Sequence, residues 1–281
     1  MGLSSGSVCT EAPGEAGAHS TDGDTPEHAG SSLGWGTVTP SRMGTVAENG
    51  TGPARVEPSD ARPSSGSYAY RDVPRRDMVQ FVPLTTSNML DVGCGLGGFG
   101  LSVKQRRQLR ITGIELDPHA ASVAATRYEQ VIAGSFPDDV PHGSHYDCIV
   151  FNDILEHLTD PWAALRAACG LLEPGGVVVA SIPNMRYWPI LWPLLTRGEW
   201  RYASDGVLDR THLRFFTFGS AKEMFADSGL EIVRATPINF VEFEDLESRS
   251  AMVLRAICGL RAKVGQELRA QQFAIVATSQ H

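Results

Sequence analysis

The sequence predicts an α/β fold, a mostly parallel sheet with helices on both faces, and three observations predict it. From Tyr68 onward, short runs rich in Val and Ile recur, segments of helical period separate them, and a glycine-rich turn follows the first run. Parallel strands buried on both faces read as near-continuous apolar runs, which is the texture found here. Seven runs qualify: MLDV (89–92), ITGIE (111–115), QVIA (130–133), YDCIVF (146–151), VVVASI (177–182), EIVRA (231–235) and FAIVAT (273–278).

The helices between them carry their own punctuation. Asp160 caps one, Pro161 suits its first turn, and Trp162, Leu165, Cys169 and Leu172 share a face before Pro174-Gly175-Gly176 stops it. In another, Ser220 and Glu223 form a capping box, Met224 and Phe225 face inward, and Gly229 closes the helix. Residues 184–216 break the alternation with a long, aromatic, Arg-bearing insertion, and insertions at this position commonly carry function.

Two regions differ in composition. Residues 1–67 hold 12 Gly, 6 Pro, 11 Ser and 7 Thr with no Phe, Ile or Tyr, so they cannot offset their ordering entropy and read as a disordered tail. Residues 68–281 read as one domain. The 281 residues carry 24 Lys and Arg against 32 Asp and Glu, a net charge of -8, which argues against a surface built to neutralise nucleic-acid phosphates. The five cysteines lack close pairs, so neither a disulfide framework nor a zinc knuckle is read. His142 and His145 flank a Gly-Ser turn without further ligands, and no metal site is assigned. With no membrane-spanning run and no signal-like start, the expected location is the cytoplasm.

LDVGCGLGGFG (90–100) runs from a strand through a glycine turn into a helix, which lets backbone amides approach a ligand closely. Gly93, Gly95 and Gly98 satisfy the dinucleotide spacing, and Glu115 lies 22 residues after Gly93, placed to take two ribose hydroxyls. A nicotinamide-dependent oxidoreductase is therefore one reading. Charge favours another. Asp91 precedes the loop and Asn152, Asp153 and Glu156 follow the fourth strand, with no base in the loop before Lys104. Carboxylates beside a pyrophosphate repel it, by about 1 kcal/mol per pair at about 4 Å even in water, whereas a cationic guest is attracted.

These blocks together resemble class I S-adenosylmethionine-dependent methyltransferases. DVGCGLG is similar to the family's first motif and GIELDP to its acidic second-strand motif; FNDILEHLTDPWAAL and LLEPGGVVVASIPN match the fourth strand, next helix and fifth strand. The resemblance implies a seven-stranded sheet whose last strand is antiparallel and inserted between the fifth and sixth. It places Gly93, Gly95 and Gly97 under the methionine part of S-adenosyl-L-methionine, Asp91 near its ammonium, and Asn152 and Asp153 at the methionine end. Glu115 would bind the ribose and Leu116 pack on adenine. Where many relatives have Asp after the third strand, this chain has Gly134 and Ser135, so the resemblance leaves the adenine contact to Ser135 or to the nearby backbone.

Methylating a hydroxyl requires removal of its proton, and histidine is suited to that at neutral pH. His157 is the leading base and His212 its rival. Arg210, His212 and Arg214 stand at spacing two, so an extended stretch would set them on one face for an anionic or polyhydroxylated acceptor, with Leu213 and Phe215 opposite. Trp188, Trp192, Trp200 and Tyr202 form either an acceptor wall, Trp188 foremost, or a lid packed on the domain. WPILWPLL beside arginines also admits membrane-surface contact, but its two prolines and weak helical amphipathicity argue against that role. IPNMRYW, GEW and LDRTHLRFFT are similar to a bacterial subgroup acting on glycans and natural-product sugars, and more distantly to ubiquinone-pathway O-methyltransferases. The expected partner is a small-molecule or glycan acceptor. The alternative of another class is a non-catalytic cofactor-binding partner of a biosynthetic enzyme.

Overall fold

The computed structural model describes residues 72–280; the expected tail over 1–67 lies outside them. In chain order the strands and helices are β1 (Asn88–Val92), α1 (Gly98–Lys104), β2 (Arg110–Glu115), α2 (Pro118–Ala124), β3 (Gln130–Ala133), β4 (Tyr146–Asn152), α3 (Pro161–Leu171), β5 (Leu172–Pro183), α4 (Trp188–Arg197), α5 (Phe218–Asp227), β6 (Leu230–Phe240), α6 (Ser248–Leu260), α7 (Ala262–Arg269) and β7 (Ala270–Ser279). One seven-stranded sheet has the order β3-β2-β1-β4-β5-β7-β6. The first five strands pair in parallel, and β7 runs antiparallel between β5 and β6.

Period-two alternation sorts β4 between two cores. Cys148 and Val150 face Phe99 and Val103 of α1 and the short turn Val79–Phe81, while Ile149 and Phe151 face Leu165 of α3 and Phe225 of α5. Phe151 and Phe225 are wholly buried, worth on the order of 2–3 kcal/mol each. Strand order reverses direction at the β1/β4 boundary. In open sheets of this kind a crevice opens there, outside the carboxyl ends of the strands.

Local signals explain most element ends. Asp160 Oδ1 accepts the Ala163 amide at 2.9 Å and Pro161 opens α3, as expected. The box on α5 lies three residues earlier than expected: Thr217 caps the helix and Ser220 completes the pair, because the helix begins at Phe218. The insertion also departs from the expectation. WPILWPLL forms α4, with Pro189 in the first turn, where no amide is needed, and Pro193 tolerated inside. It packs on α6 and α7, two helices between β6 and β7 that carried no sequence expectation; Trp188, Leu254 and Leu268 form their buried centre. Among the described residues no helix is long and apolar enough to cross a membrane.

Candidate functional site

The loop after β1 keeps its shape through backbone conformations that glycine adopts freely. Gly93 has φ 65° and Gly97 φ 81°. A side chain at Gly93 would also collide with the end of the Ile154 side chain. Beside this loop lies a cavity of about 550 Å³, walled by Val92, Gly93, Glu115, Leu116, Phe136 and Ile154, with Asp153 and His157 at one end.

Glu115, only 5% exposed, ends β2 on that wall. Its Oε2 accepts the Gly95 amide at 2.9 Å and its Oε1 the Asp117 amide at 3.0 Å, so the carboxylate ties the glycine loop to the start of α2. Leu116, 72% exposed, and Phe136 offer apolar faces beside it, and Ser135 lines the same cavity with its amide on Asp139.

Not every expected residue reaches the cavity. Asp91 sits beneath the loop, 2% exposed, where the Tyr128 hydroxyl donates to it at 2.6 Å and itself accepts the Gly100 amide. Burial, helped by the charge of Glu115, pushes the Asp91 carboxyl up to about 7, although Tyr128 opposes this. The neighbouring position, Asn152, has its amide atoms buried without hydrogen-bond partners and contributes to neither cavity wall. Of the acidic groups read as a cradle for a cationic guest, Glu115 and Asp153 line this cavity, Asp91 lies under it, and Glu156 turns the other way.

Asp153, with φ 54°, stands where β4 ends. Its Oδ1 accepts from Ser181 Oγ at 2.8 Å and Gln272 Nε2 at 2.6 Å, and its Oδ2 is ion-paired to Arg75. Arg75 also donates to both carboxylate oxygens of Asp77, at 3.2 and 3.1 Å, and so binds the segment before β1 to the site. Burial raises the Asp153 carboxyl and the Arg75 charge counteracts it. Arg75, Ser181 and Gln272 were missed in the sequence because each stands alone; only the fold brings residues 75, 153, 181 and 272 together.

A second cavity, about 150 Å³, meets the first at Asp153 and His157 and is walled by Glu156, Asp209 and His212 among others. The stretch 206–217 is not extended: the His212 amide bonds back to Asp209 O, closing a turn that buries His212 and leaves Arg210 and Arg214 exposed. The expected shared face of those three side chains therefore does not exist, and Arg214 donates to Thr159 O. Trp188 is not an acceptor wall; it is 3% exposed and donates to Ser250 in the helical cluster. Trp200 instead stacks edge-on with Phe215, 5.6 Å away, and Phe215 meets His212.

The two histidines face each other edge to face, ring centres 4.7 Å apart. Thr211 Oγ1 gives its proton to Asp209 at 2.6 Å, so His157 Nδ1, 3.1 Å from that oxygen, must be the donor there. His212 Nδ1 lies 3.0 Å from the Val207 carbonyl, which only accepts. Both rings in the neutral state thus carry an unprotonated Nε2. Burial, reinforced by His157, pulls His212 below the ordinary imidazole range. Glu156, 1% exposed, has neither carboxylate oxygen hydrogen-bonded, and burial together with the charge of Asp153 pushes it well above the usual carboxylate range.

Comparison with known proteins identifies the family. A family model described as a methyltransferase domain matches residues 67–235. The chain is similar to a ubiquinone biosynthesis O-methyltransferase of Marinobacter nauticus, 32% identical over 170 residues, which covers 57% of this chain and 70% of the relative. A Pseudomonas paraeruginosa protein of the same name is 32% identical over 110 residues, covering 36% of this chain and 46% of that protein, so the match spans under half of the relative's length. Among solved structures, a SAM-dependent methyltransferase from Archaeoglobus fulgidus has a TM-score of 0.51 at 18% identity, covering 69% of this chain and 86% of the other. A methyltransferase in complex with the Haloferax volcanii Trm112 activator scores 0.52 at 17% identity, covering 73% and 88%; at these identities the likeness is one of fold. The dinucleotide reading of the glycine loop falls, and the chain belongs to the methyltransferase-domain family as a class I S-adenosylmethionine-dependent enzyme.

Proposed function

We propose that this enzyme methylates a hydroxyl oxygen of a small, polar acceptor, a sugar, a glycan or another small molecule. The observation that carries the reading is the junction of two unlike cavities. The larger has the volume and apolar lining of a nucleoside seat with two well-held carboxylates, Glu115 and Asp153, and the smaller is polar and holds two imidazoles. S-adenosylmethionine in the first would direct its methyl toward Asp153 and His157, where the second begins. Relatives named as O-methyltransferases support oxygen as the target atom.

Transfer is an in-line displacement, so the main task of the protein is to hold donor and acceptor close and dry. Glu115, Leu116, Ser135 and the glycine loop hold the donor. Asp153, fixed from three sides, sets the boundary between the two guests. The acceptor hydroxyl loses its proton on the side of His157 and His212, whose Nε2 atoms carry free lone pairs. Such nitrogens activate a hydroxyl either by taking its proton or through a bound cation.

The test is a screen of candidate acceptors with isotope-labelled S-adenosylmethionine, read by mass spectrometry. An O-methylated sugar or phenol is the expected product; labelling confined to nitrogen or carbon acceptors would overturn the assignment.

A further inference from the structure

We propose that Glu156, His157 and His212 bind a divalent cation of the zinc, cobalt or manganese type, which takes the acceptor hydroxyl as a further ligand; this rests on the methyl-transfer reading above. One donor atom from each of the three residues lies within 4.8 Å of the others. A single ion with bonds of about 2.0–2.2 Å closes that span with a small inward shift. The second observation is independent of that clustering. The Glu156 carboxylate lines the small cavity almost wholly buried, yet neither oxygen has a hydrogen-bond partner, and a buried carboxylate calls for a compensating charge or proton.

The histidines are prepared in the same sense. Each commits Nδ1–H to an oxygen, His212 to Val207 O and His157 to Thr211, which in turn is held by Asp209. Metal-bound histidines are oriented in this way by their second nitrogen. His212 Nε2 stands 3.9 Å from Glu156 Oε1, too far for a hydrogen bond and suited to two ligands of one ion. Two imidazoles and one carboxylate select borderline transition ions over magnesium, which prefers an all-oxygen shell. The cavity of about 150 Å³ has room for the ion and a small oxygen ligand.

The cation acidifies the hydroxyl bound to it, and the released proton passes to water. The oxygen lone pair then forms the new O–C bond while the C–S bond breaks, its electron pair staying on sulfur. The products are a methyl ether and an uncharged thioether, and the oxidation state of the cation does not change.

The test uses the full chain, stripped with chelator and titrated with Co²⁺ by visible absorption and with Zn²⁺ by calorimetry. One equivalent of each should bind. Glu156→Gln, which keeps shape while removing charge, and His212→Gln should each weaken binding at least ~100-fold. In both variants S-adenosylmethionine should still raise the melting temperature. Absence of stoichiometric binding by the native chain, or unchanged affinity in both folded variants, overturns the cation site. Cation binding retained in a native chain that S-adenosylmethionine fails to stabilise would instead count against the methyl-transfer reading alone.

Discussion

The two cavities that meet at Asp153 and His157 are built on opposite principles. In the larger, every charged group on the wall is held: Glu115 accepts two backbone amides, and Asp153 takes Arg75, Ser181 and Gln272. In the smaller, the Glu156 carboxylate is buried with neither oxygen hydrogen-bonded. A seat whose polar groups are already held is preorganised and pays little to receive its guest. One with an orphaned carboxylate keeps an unmet demand that only a guest can meet. Donor binding should therefore tolerate changes in the small cavity, while acceptor chemistry should depend on them.

Replacing Glu115 with Ala tests the larger cavity most severely. It removes the anchor of the Gly95 and Asp117 amides along with the proposed ribose contact, and S-adenosylmethionine affinity measured by calorimetry should fall ~100-fold or more, as expected for losing charge-assisted hydrogen bonds. An affinity within threefold of the native value would show that the cavity is not the donor seat.

Asp91→Asn asks whether the group under the loop serves folding. A carboxyl raised from 3.8 to about 7 keeps its proton in the folded chain after the unfolded chain has lost it. Native stability is thus full below about pH 4 and declines as pH rises toward 7, whereas the variant lacks this dependence. The Asn protein should gain on the native one by about 4 kcal/mol across that window, read by urea unfolding at both ends; parallel pH profiles would contradict the burial argument.

Thr211→Val removes the hydroxyl that links Asp209 to His157. A fall in kcat of ~10-fold with KM for S-adenosylmethionine unchanged is expected, because only the orientation of the ring is affected. A matching rise in that KM would place His157 with the donor instead. Last, Trp188→Phe should cost about 1 kcal/mol of stability through its lost bond to Ser250 and leave both substrates' KM values alone. A raised acceptor KM would restore the wall role that its burial denies.

The sheet was legible because its strands are short Val- and Ile-rich runs cut by glycine and proline, and burial on both faces forces that texture; the order β5-β7-β6 followed from the resemblance. Helix α3 was legible through Asp160 and Pro161, whose capping chemistry is local. Helix α4 was not, since Pro189 and Pro193 argue against a helix unless the first sits in the opening turn and neighbours absorb the second. The site divided in the same way. Glu115 and the glycine loop are written as spacing within one βαβ unit. The expected face of Arg210, His212 and Arg214 failed because a single backbone bond, His212 to Asp209, turns the chain. Glu156 was visible as an acid after β4, but its facing His212, 56 residues on, is a fact of tertiary structure alone.

Arg75 gives the start of the fold a practical meaning. Its guanidinium crosses from the segment ahead of the first strand to the far end of β4, so the boundary between the two cavities is closed by residues that a secondary-structure map would discard as a leader. Shortened versions prepared for crystallisation should retain everything from residue 72. A cut placed neatly at the first strand would yield a protein that folds its sheet and leaves Asp153 loose.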